Sequence, residues 1–251
     1  MLVRQRGERF VVIDDFLPED ALAGARALMG RAGMREVASV VSPEHDGRAR
    51  RSNGARFVDG AVGAEGPGRP PVYREIVRMV SAEEQVYGRR GADWDTVSFT
   101  YWTYPAGSRL NWHNDAGLGR TGEFVYFLHE QWRSSWGGEL LVVDEDLRES
   151  AEDLRAGMSI DDRMESLLVR SAANPVAIIP WPNRLVMVKA GTVHTIRRVD
   201  HTAGAALRRT LTGFVSRKRG EPSARGPVRE QWNSFVDQMA VPSLAGPAEG
   251  A

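Results

Sequence analysis

The sequence predicts a mostly β, α+β domain in which a β-sandwich or barrel is flanked by helices. Many short segments rich in Val, Ile, Leu and aromatic residues are separated by Pro and Gly, mainly after residue 94. A hydrophobic content of 42% in 251 residues is enough for one apolar core. We therefore expect a single domain over residues 1–251, with its β core at about 95–216.

The N-terminal part, residues 9–90, is expected to support this core. Residues 9–17 predict a short strand that ends in a turn, and an Ala- and Leu-rich helix follows over residues 18–30, with acidic residues in its first turn. Apolar residues at helical spacing predict a second helix over residues 72–80. Residues 43–70 are rich in Gly, Pro, Ser and Arg, which predicts a long loop.

The β core is predicted from aromatic and β-branched segments. The segments are 96–104, 123–128, 138–143, 176–179, 184–188, 193–196 and 209–215. Residues 145–171 are charged, with apolar residues at helical spacing, and predict a helical insertion between strands. Residues 226–239 predict a C-terminal helix.

His113, Asp115 and His194 are the candidate metal ligands. His113 and Asp115 stand two residues apart in an extended segment, so their side chains point to the same side. Two imidazoles and one carboxylate form the face that holds non-haem Fe(II) and leaves three positions open. A His-x-Asp pair also occurs by chance in surface loops, so the surrounding motifs decide its weight.

Residues 207–214 contain a candidate carboxylate anchor. On a strand, Arg208 and Thr210 share one face, whereas Arg209 lies on the other. A guanidinium and a hydroxyl two residues apart can bind one carboxylate, as a dicarboxylate co-substrate requires. The alternative is an edge strand with solvated arginines.

Seven motifs support a family resemblance. They are Tyr-Pro-Ala-Gly at 104–107, His-x-Asp at 113–115, Val-Tyr-Phe-Leu at 125–128, Trp-Gly-Gly-Glu-Leu at 136–140, Pro-Asn-Arg-Leu-Val-Met-Val at 182–188, His-Thr-Ile-Arg-Arg-Val at 194–199 and Arg-Arg-Thr-Leu-Thr-Gly-Phe at 208–214. In this order they resemble the Fe(II)/2-oxoglutarate-dependent oxygenases of the prolyl-hydroxylase-like branch. The resemblance covers roughly residues 95–216.

That resemblance implies a double-stranded β-helix (jelly-roll) with a metal at its open mouth. It implies that His113, Asp115 and His194 are catalytic and ligate Fe(II), with 2-oxoglutarate and O2 as co-substrates and ascorbate as an optional addition. Relatives that halogenate have a small residue in place of Asp115, so hydroxylation, or a related desaturation or cyclisation, is expected here.

The resemblance also implies a co-substrate pocket. Arg208 would bind the 5-carboxylate of 2-oxoglutarate with help from Thr210, and Tyr104 would line the pocket. The gap from His194 to Arg208 is longer than usual, which leaves Arg209 as a competitor for the anchor.

Substrate contacts are expected from Arg120 and Trp112. For Arg120 the alternative is an exposed surface arginine, and for Trp112 it is packing. We further expect the loop at 43–70 and the insertion at 145–171 to select the substrate. The alternative for the insertion is a dimer interface. The arginines of the loop suggest a flexible lid or an anion site; they are Arg48, Arg50, Arg51 and Arg56.

The expected reaction is hydroxylation of an unactivated C–H bond in a small amino-acid-like or natural-product substrate. A prolyl or peptidyl hydroxylase is one alternative. A nucleic-acid demethylase is disfavoured because that branch carries a second arginine six residues after the anchor, where this chain has Phe214. A cupin-like isomerase or metal-dependent sensor would leave Arg208 and Thr210 without a role.

Composition limits the partners. The 33 basic and 33 acidic residues balance, so no overall field attracts nucleic acid or an anionic membrane. The absence of Cys excludes disulfides and thiolate chemistry and fits a cytoplasmic protein, and the large excess of Arg over Lys fits a bacterial one. No apolar run is long enough to span a membrane. We expect a monomer or homodimer that binds a small molecule.

Overall fold

The computed structural model describes residues 1–39, 41–61, 66, 68–150 and 158–217. Within these residues the helices are α1 (Glu19–Arg31), α2 (Pro71–Ala82), α3 (Glu84–Tyr87) and α4 (Ile160–Arg170). The strands are β1 (Leu2–Arg6), β2 (Phe10–Asp14), β3 (Met34–Ala38), β4 (Arg48–Ser52), β5 (Ala55–Val58), β6 (Thr96–Tyr104), β7 (Leu110–Asn114), β8 (Arg120–Phe127), β9 (Leu140–Val142), β10 (Val176–Ile178), β11 (Leu185–Lys189), β12 (Val193–Ile196) and β13 (Arg208–Ser216).

Two antiparallel sheets form the core. The larger sheet has the strand order β1-β2-β11-β8-β13-β6-β4-β3, with β5 also paired to β6. The smaller sheet has the order β10-β9-β12-β7. Strands that are distant in the chain thus become neighbours, as in a jelly-roll. The predicted fold class, mostly β with flanking helices around a double-stranded β-helix, is confirmed.

Helices α1–α3, the larger sheet, the smaller sheet and α4 are stacked in this order. One apolar core lies between the helices and the larger sheet, where Ile76 of α2 and Phe124 of β8 are buried. A second core lies between the two sheets and includes Phe127 of β8 and Leu140 of β9. The second half of β8 is therefore covered on both faces, which explains why residues 124–127 are apolar without alternation.

The helices follow local sequence signals. In α1, Glu19 and Asp20 occupy the first turn and Arg31 the last, so their charges complement the helix dipole. The helices predicted at 18–30 and 72–80 are confirmed as α1 and α2. None of the helices in the described ranges has the length and apolar character that crossing a membrane requires.

The prediction of one long loop over residues 43–70 is wrong, because β4 and β5 lie within it. Strand β4 pairs with β3 on one side and with β6 on the other, and β5 pairs with β6. These main-chain hydrogen bonds outweigh the low strand propensity of an Arg-rich segment. Ala49 packs in the core between the sheets, and Arg51 is buried with its guanidinium carbon 5.9 Å from the Trp102 ring centroid.

The arginines of β4 are therefore parts of a sheet and do not form a flexible lid. Arg48 pairs with Glu36 on the neighbouring strand β3. Arg50 donates a hydrogen bond to the carbonyl oxygen of Met34 at 3.3 Å. In the register of β3 against β4, each of these partners lies two residues away from the residue directly opposite the arginine, on the same face of the sheet.

The predicted insertion contains α4, which packs on the back of the smaller sheet. Met164 and Leu167 of α4 are buried with Val193 of β12, and Trp112 of β7 packs against the same cluster. The buried apolar residues of α4 thus pack within the chain, against the smaller sheet. The C-terminal helix predicted at 226–239 lies outside the described residues.

Candidate metal centre

Three side chains from two neighbouring strands of the smaller sheet meet at one point. His113 lies on β7, Asp115 follows directly after that strand, and His194 lies on β12 opposite His113. Their ligand atoms all lie within 4.8 Å of one another, and all three residues are buried. Asp115 Oδ2 is 3.6 Å from His113 Nε2 and 3.7 Å from His194 Nε2. The structure therefore brings together the three residues that the sequence singles out.

Main-chain carbonyl groups orient both histidines. The Nδ1 atom of His113 lies 2.7 Å from the carbonyl oxygen of Asn111, and that of His194 lies 2.9 Å from the carbonyl oxygen of Thr192. Because a carbonyl oxygen only accepts hydrogen bonds, we assign the donating proton to Nδ1 in both rings. Both Nε2 atoms then face Asp115, as they must to bind one metal ion.

Arg120 holds Asp115 in place and is buried, so it is not the exposed surface arginine that the sequence allows as an alternative. Its Nη1 donates a hydrogen bond to Asp115 Oδ1 at 3.0 Å, and its guanidinium carbon lies 3.6 Å from the Phe214 ring centroid. Only 9% of Arg120 is exposed. One carboxylate oxygen is thus occupied by Arg120, whereas Oδ2 remains directed at the histidines.

Glu123 is a second carboxylate at this site, and none of the sequence motifs singles it out. Its Oε1 lies 3.0 Å from His194 Nε2, and it is close enough to Asp115 for the two carboxyl groups to shift each other's pKa. Glu123 alternates along β8 with Val125 and Phe127, which face the core between the sheets. That alternation is visible in the sequence and is the signal that could have identified Glu123.

Burial and neighbouring charges shift the pKa values in this cluster. Burial and the charge of His194 lower the pKa of His113 to about 4. Burial opposes ionisation of Asp115, but the charges of His113, Arg120 and His194 lower its pKa to about 2. Burial raises the pKa of Glu123 to about 7. Burial disfavours the charged form of His194, but Glu123 and Asp115 outweigh it and raise the pKa to about 9.

Arg208 is fully buried, with two nitrogen atoms that have no partner. Its Nε donates to the carbonyl oxygen of Gly138 at 2.8 Å, but neither Nη1 nor Nη2 has a hydrogen-bond partner among the described residues. The hydroxyl of Thr210, on the same face of β13, is also buried and unpartnered. Burial lowers the pKa of Arg208 to about 10. Such donors are costly to bury alone and suit a bound carboxylate.

Aromatic rings and one glycine shape the surroundings of Arg208. Its guanidinium carbon lies 4.9 Å from the Phe127 ring centroid and 5.6 Å from that of Tyr104. Gly138 has a φ of +72°, and a Cβ atom there would lie 3.1 Å from the Arg208 Cδ. Glycine is thus required for both the turn and the close approach. Arg209 is exposed on the opposite face of β13, which leaves Arg208 as the buried arginine.

Trp112 is not brought to the site. It precedes His113 on β7, so its side chain points away from the metal position and packs in the cluster with α4. His129, at the end of β8, is buried and its Nε2 lies 2.5 Å from the carbonyl oxygen of Pro180. It is a structural residue and lies outside the metal cluster.

Comparisons with known proteins agree with this geometry. Residues 99–216 match the sequence profile of the 2OG-Fe(II) oxygenase superfamily. A search of curated protein sequences gave no match.

Solved structures of similar fold include a prolyl-4-hydroxylase from Pseudomonas putida, with a TM-score of 0.55 and 15% identity over 84% of this chain and 94% of that one. The carbocyclase SnoK from nogalamycin biosynthesis has a TM-score of 0.58 and 16% identity over 97% of this chain and 90% of that one. The epimerase SnoN from the same biosynthesis has a TM-score of 0.55 and 12% identity over 99% and 90%. At these identities the likeness shows the fold.

The fold and the site define a jelly-roll protein with a two-histidine, one-carboxylate cluster. Residues 99–216, which contain the whole cluster, match the 2OG-Fe(II) oxygenase superfamily, a class of dioxygenases that use Fe(II), 2-oxoglutarate and O2. The resemblance seen in the motifs is therefore confirmed. The chain also fits these groups, because its donor set suits Fe(II) and the unpartnered nitrogens of Arg208 suit a dicarboxylate.

Proposed function

We propose that this chain hydroxylates an unactivated C–H bond of a small amino-acid-like or natural-product substrate and releases succinate and CO2 from 2-oxoglutarate. The observation that carries the proposal is that the candidate metal ligands occur together with a buried Arg208. Neither Nη1 nor Nη2 of Arg208 has a hydrogen-bond partner among the described residues. A metal-dependent isomerase or sensor would account for the cluster, but it would leave the buried cation without a partner.

In this proposal His113, Asp115 and His194 hold Fe(II), and Arg208 with Thr210 binds the 5-carboxylate of 2-oxoglutarate. When bound, iron and 2-oxoglutarate supply the activation of O2 for C–H oxidation. The chain itself provides orientation and the exclusion of water. The bidentate geometry of a guanidinium fixes a carboxylate in direction as well as in place.

Two arrangements prepare the metal ligands. Arg120 occupies one oxygen of Asp115, so that this carboxylate offers a single oxygen to the metal. The carbonyl groups of Asn111 and Thr192 keep both Nε2 atoms facing it. Metal binding must displace the proton that His194 shares with Glu123, so the affinity of the protein for the metal should fall at low pH.

A turnover screen tests the proposal. Purified protein with Fe(II), 2-oxoglutarate and O2 should release succinate, and one class in a panel of amino acids and natural-product scaffolds should accelerate that release and gain an oxygen atom. His113→Ala should abolish turnover. If the wild-type protein binds neither Fe(II) nor 2-oxoglutarate, the proposal is wrong.

A prolyl or peptidyl hydroxylase is the second candidate. The fold similarity to the Pseudomonas putida prolyl-4-hydroxylase favours it. The similarity to SnoK and SnoN, which extends over nearly the whole chain, favours a small natural product instead. Proline-containing peptides in the same panel distinguish the two candidates, because only a peptidyl hydroxylase should oxidise them faster than the free compounds.

A further inference from the structure

Glu123 lies at the candidate metal centre but has no part in the two-histidine, one-carboxylate set. Its Oε1 is 3.0 Å from His194 Nε2, the atom that would bind the metal. The side chain of Glu123 is only 13% exposed and is close enough to Asp115 for the two carboxyl groups to shift each other's pKa. The described site thus contains two carboxylates within reach of the same imidazole.

The position of Glu123 is set by the larger sheet. Strand β8 lies between β11 and β13, and Glu123 pairs with Val188 on one side and with Phe214 on the other. The hydroxyl of Tyr87 donates to the carbonyl oxygen of Glu123 at 2.7 Å. Because its backbone is held on three sides, the fold itself directs the carboxylate of Glu123 towards His194.

The separation of Glu123 from His194 suits two ligands of one metal ion. Adjacent ligands of a six-coordinate ion with bonds of about 2.1 Å lie roughly 3 Å apart. The observed 3.0 Å between Glu123 Oε1 and His194 Nε2 has this value. The corresponding distances from Asp115 Oδ2 to the two histidines are longer, at 3.6 and 3.7 Å.

We propose that Glu123 is a fourth protein ligand of the metal ion before 2-oxoglutarate binds, and that 2-oxoglutarate binding displaces it. Four protein ligands leave two positions, which the two chelating oxygens of 2-oxoglutarate would fill, so no position would remain for O2. One protein ligand must therefore leave. Asp115 is held by Arg120 and both histidines by main-chain carbonyls, whereas no described residue outside the cluster binds the carboxylate of Glu123.

This inference rests on the proposed function, because it assumes that the site binds a divalent ion and 2-oxoglutarate. The alternative is that Glu123 only pairs with protonated His194. These two roles predict opposite effects on metal affinity. Loss of a ligand weakens metal binding, whereas loss of a competing partner of His194 strengthens it.

Calorimetric titration with Co(II), in the absence of 2-oxoglutarate, distinguishes the two roles. Glu123→Gln and Glu123→Ala should weaken Co(II) affinity at least about 10-fold. In a second titration, 2-oxoglutarate should bind the Co(II)-saturated variants more tightly than the wild type, since no internal ligand has to be displaced. A purely structural role would not move the two affinities in opposite directions.

Glu83→Gln is the matched control. Glu83 pairs with Arg6, and its side chain is 12% exposed, close to the 13% of Glu123, but it lies at the end of α2. The control should bind Co(II) and 2-oxoglutarate as the wild type does. Unchanged or tighter Co(II) binding by both Glu123 variants would overturn the inference while leaving the proposed function intact. Failure of the wild type to bind Co(II) would overturn both.

A crystal structure of the Co(II)-loaded wild type gives a second, variant-independent measurement. A Glu123 oxygen should lie about 2.0–2.2 Å from the metal in the absence of 2-oxoglutarate. A Glu123 carboxylate that remains outside bonding distance would overturn the inference even if the variants fail to fold.

Discussion

Arg208 is the residue whose replacement separates co-substrate binding from metal binding. Its two unpartnered nitrogens are buried, so Arg208→Ala should remove a charge-assisted pair with 2-oxoglutarate. We expect the Kd for 2-oxoglutarate to rise about 30-fold or more, which corresponds to ~2 kcal/mol or above. Calorimetry on the metal-loaded protein measures this change.

Arg209→Ala is the control for this measurement, because Arg209 is exposed on the other face of β13. It should leave the affinity for 2-oxoglutarate nearly unchanged. A larger loss in Arg209→Ala than in Arg208→Ala would mean that the strand faces are assigned wrongly.

His129 should make the fold sensitive to acid. Burial lowers its pKa from 6.5 to about 3, so the unfolded chain binds a proton that the folded chain excludes. Its contribution to stability is complete above pH 6.5 and is lost as the pH falls towards 3. The slope is about 1.4 kcal/mol per pH unit, or ~2 kcal/mol between pH 6.5 and 5.

Urea unfolding at several pH values, compared with His129→Gln, tests this expectation. Glutamine cannot gain a proton, so the free energy of unfolding of the variant should fall less steeply with acid. Parallel pH profiles for the two proteins would refute the assignment. The other titrating groups are common to both proteins and cancel in the difference.

Some residues of the site could be predicted from the sequence, and others could not. His113, Asp115 and Arg208 could be placed because side chains alternate along a strand and because their residue types suit a metal ion and a carboxylate. Glu123 belongs to no motif, and only its alternation with Val125 and Phe127 along β8 indicates that it faces the core between the sheets. The pairing of Arg120 with Asp115 depends on the chain reversal after β7, which the spacing alone does not define.

At the scale of the elements, Gly213 allows β13 and β6 to lie close together. A Cβ atom at position 213 would lie 1.6 Å from the carbonyl oxygen of Ser98. Gly213→Ala should therefore force the strands apart and destabilise the protein by about 1–3 kcal/mol or more. Thermal or urea unfolding measures the loss.

Gly24→Ala is the matched control for that substitution. Position 24 lies in α1, and an added Cβ would have no neighbour within 4 Å. Alanine there should stabilise the protein by about 0.5–1 kcal/mol, because it has the higher helix propensity. An unfolding free energy for Gly213→Ala equal to that of the wild type would contradict the packing described for β13.

Helix α4 supports the strands that carry the metal ligands. Leu167 is 1% exposed and packs with Val193, the neighbour of His194. Leu167→Ala should cost about 2–5 kcal/mol of stability and also weaken metal binding. Val169→Ala, at a position that is 84% exposed, should do neither. Wild-type metal affinity in a destabilised Leu167→Ala protein would show that α4 does not position the site.

Elements with a local sequence signal could be predicted, whereas strands that form only by pairing with other strands could not. Helices α1 and α2 have clear periodicity and terminal charges, and β6 has an aromatic, β-branched sequence. Strands β4 and β5 lack such a signal, because contacts with β6 and β3 stabilise them. The surface against which the apolar face of α4 packs likewise depends on the position of the smaller sheet, which no local signal defines.

At the scale of the whole molecule, the two sheets bring residues from distant parts of the chain into one site. The smaller sheet supplies His113 and His194, whereas the larger sheet supplies Arg208 and Glu123. The metal cluster and the carboxylate anchor therefore form only when the jelly-roll closes. The site therefore depends on the order of the strands in the two sheets, which no local sequence pattern encodes.

The most direct test of the central claim is an anaerobic titration of the Fe(II)-loaded protein with 2-oxoglutarate, followed by visible absorption. Chelation of Fe(II) by 2-oxoglutarate produces a charge-transfer band that neither component has alone. The wild type should develop this band and saturate at one 2-oxoglutarate per chain. His113→Ala should show no band, and Arg208→Ala should require much more 2-oxoglutarate. A wild-type protein that shows no band at saturating Fe(II) and 2-oxoglutarate would contradict the assignment.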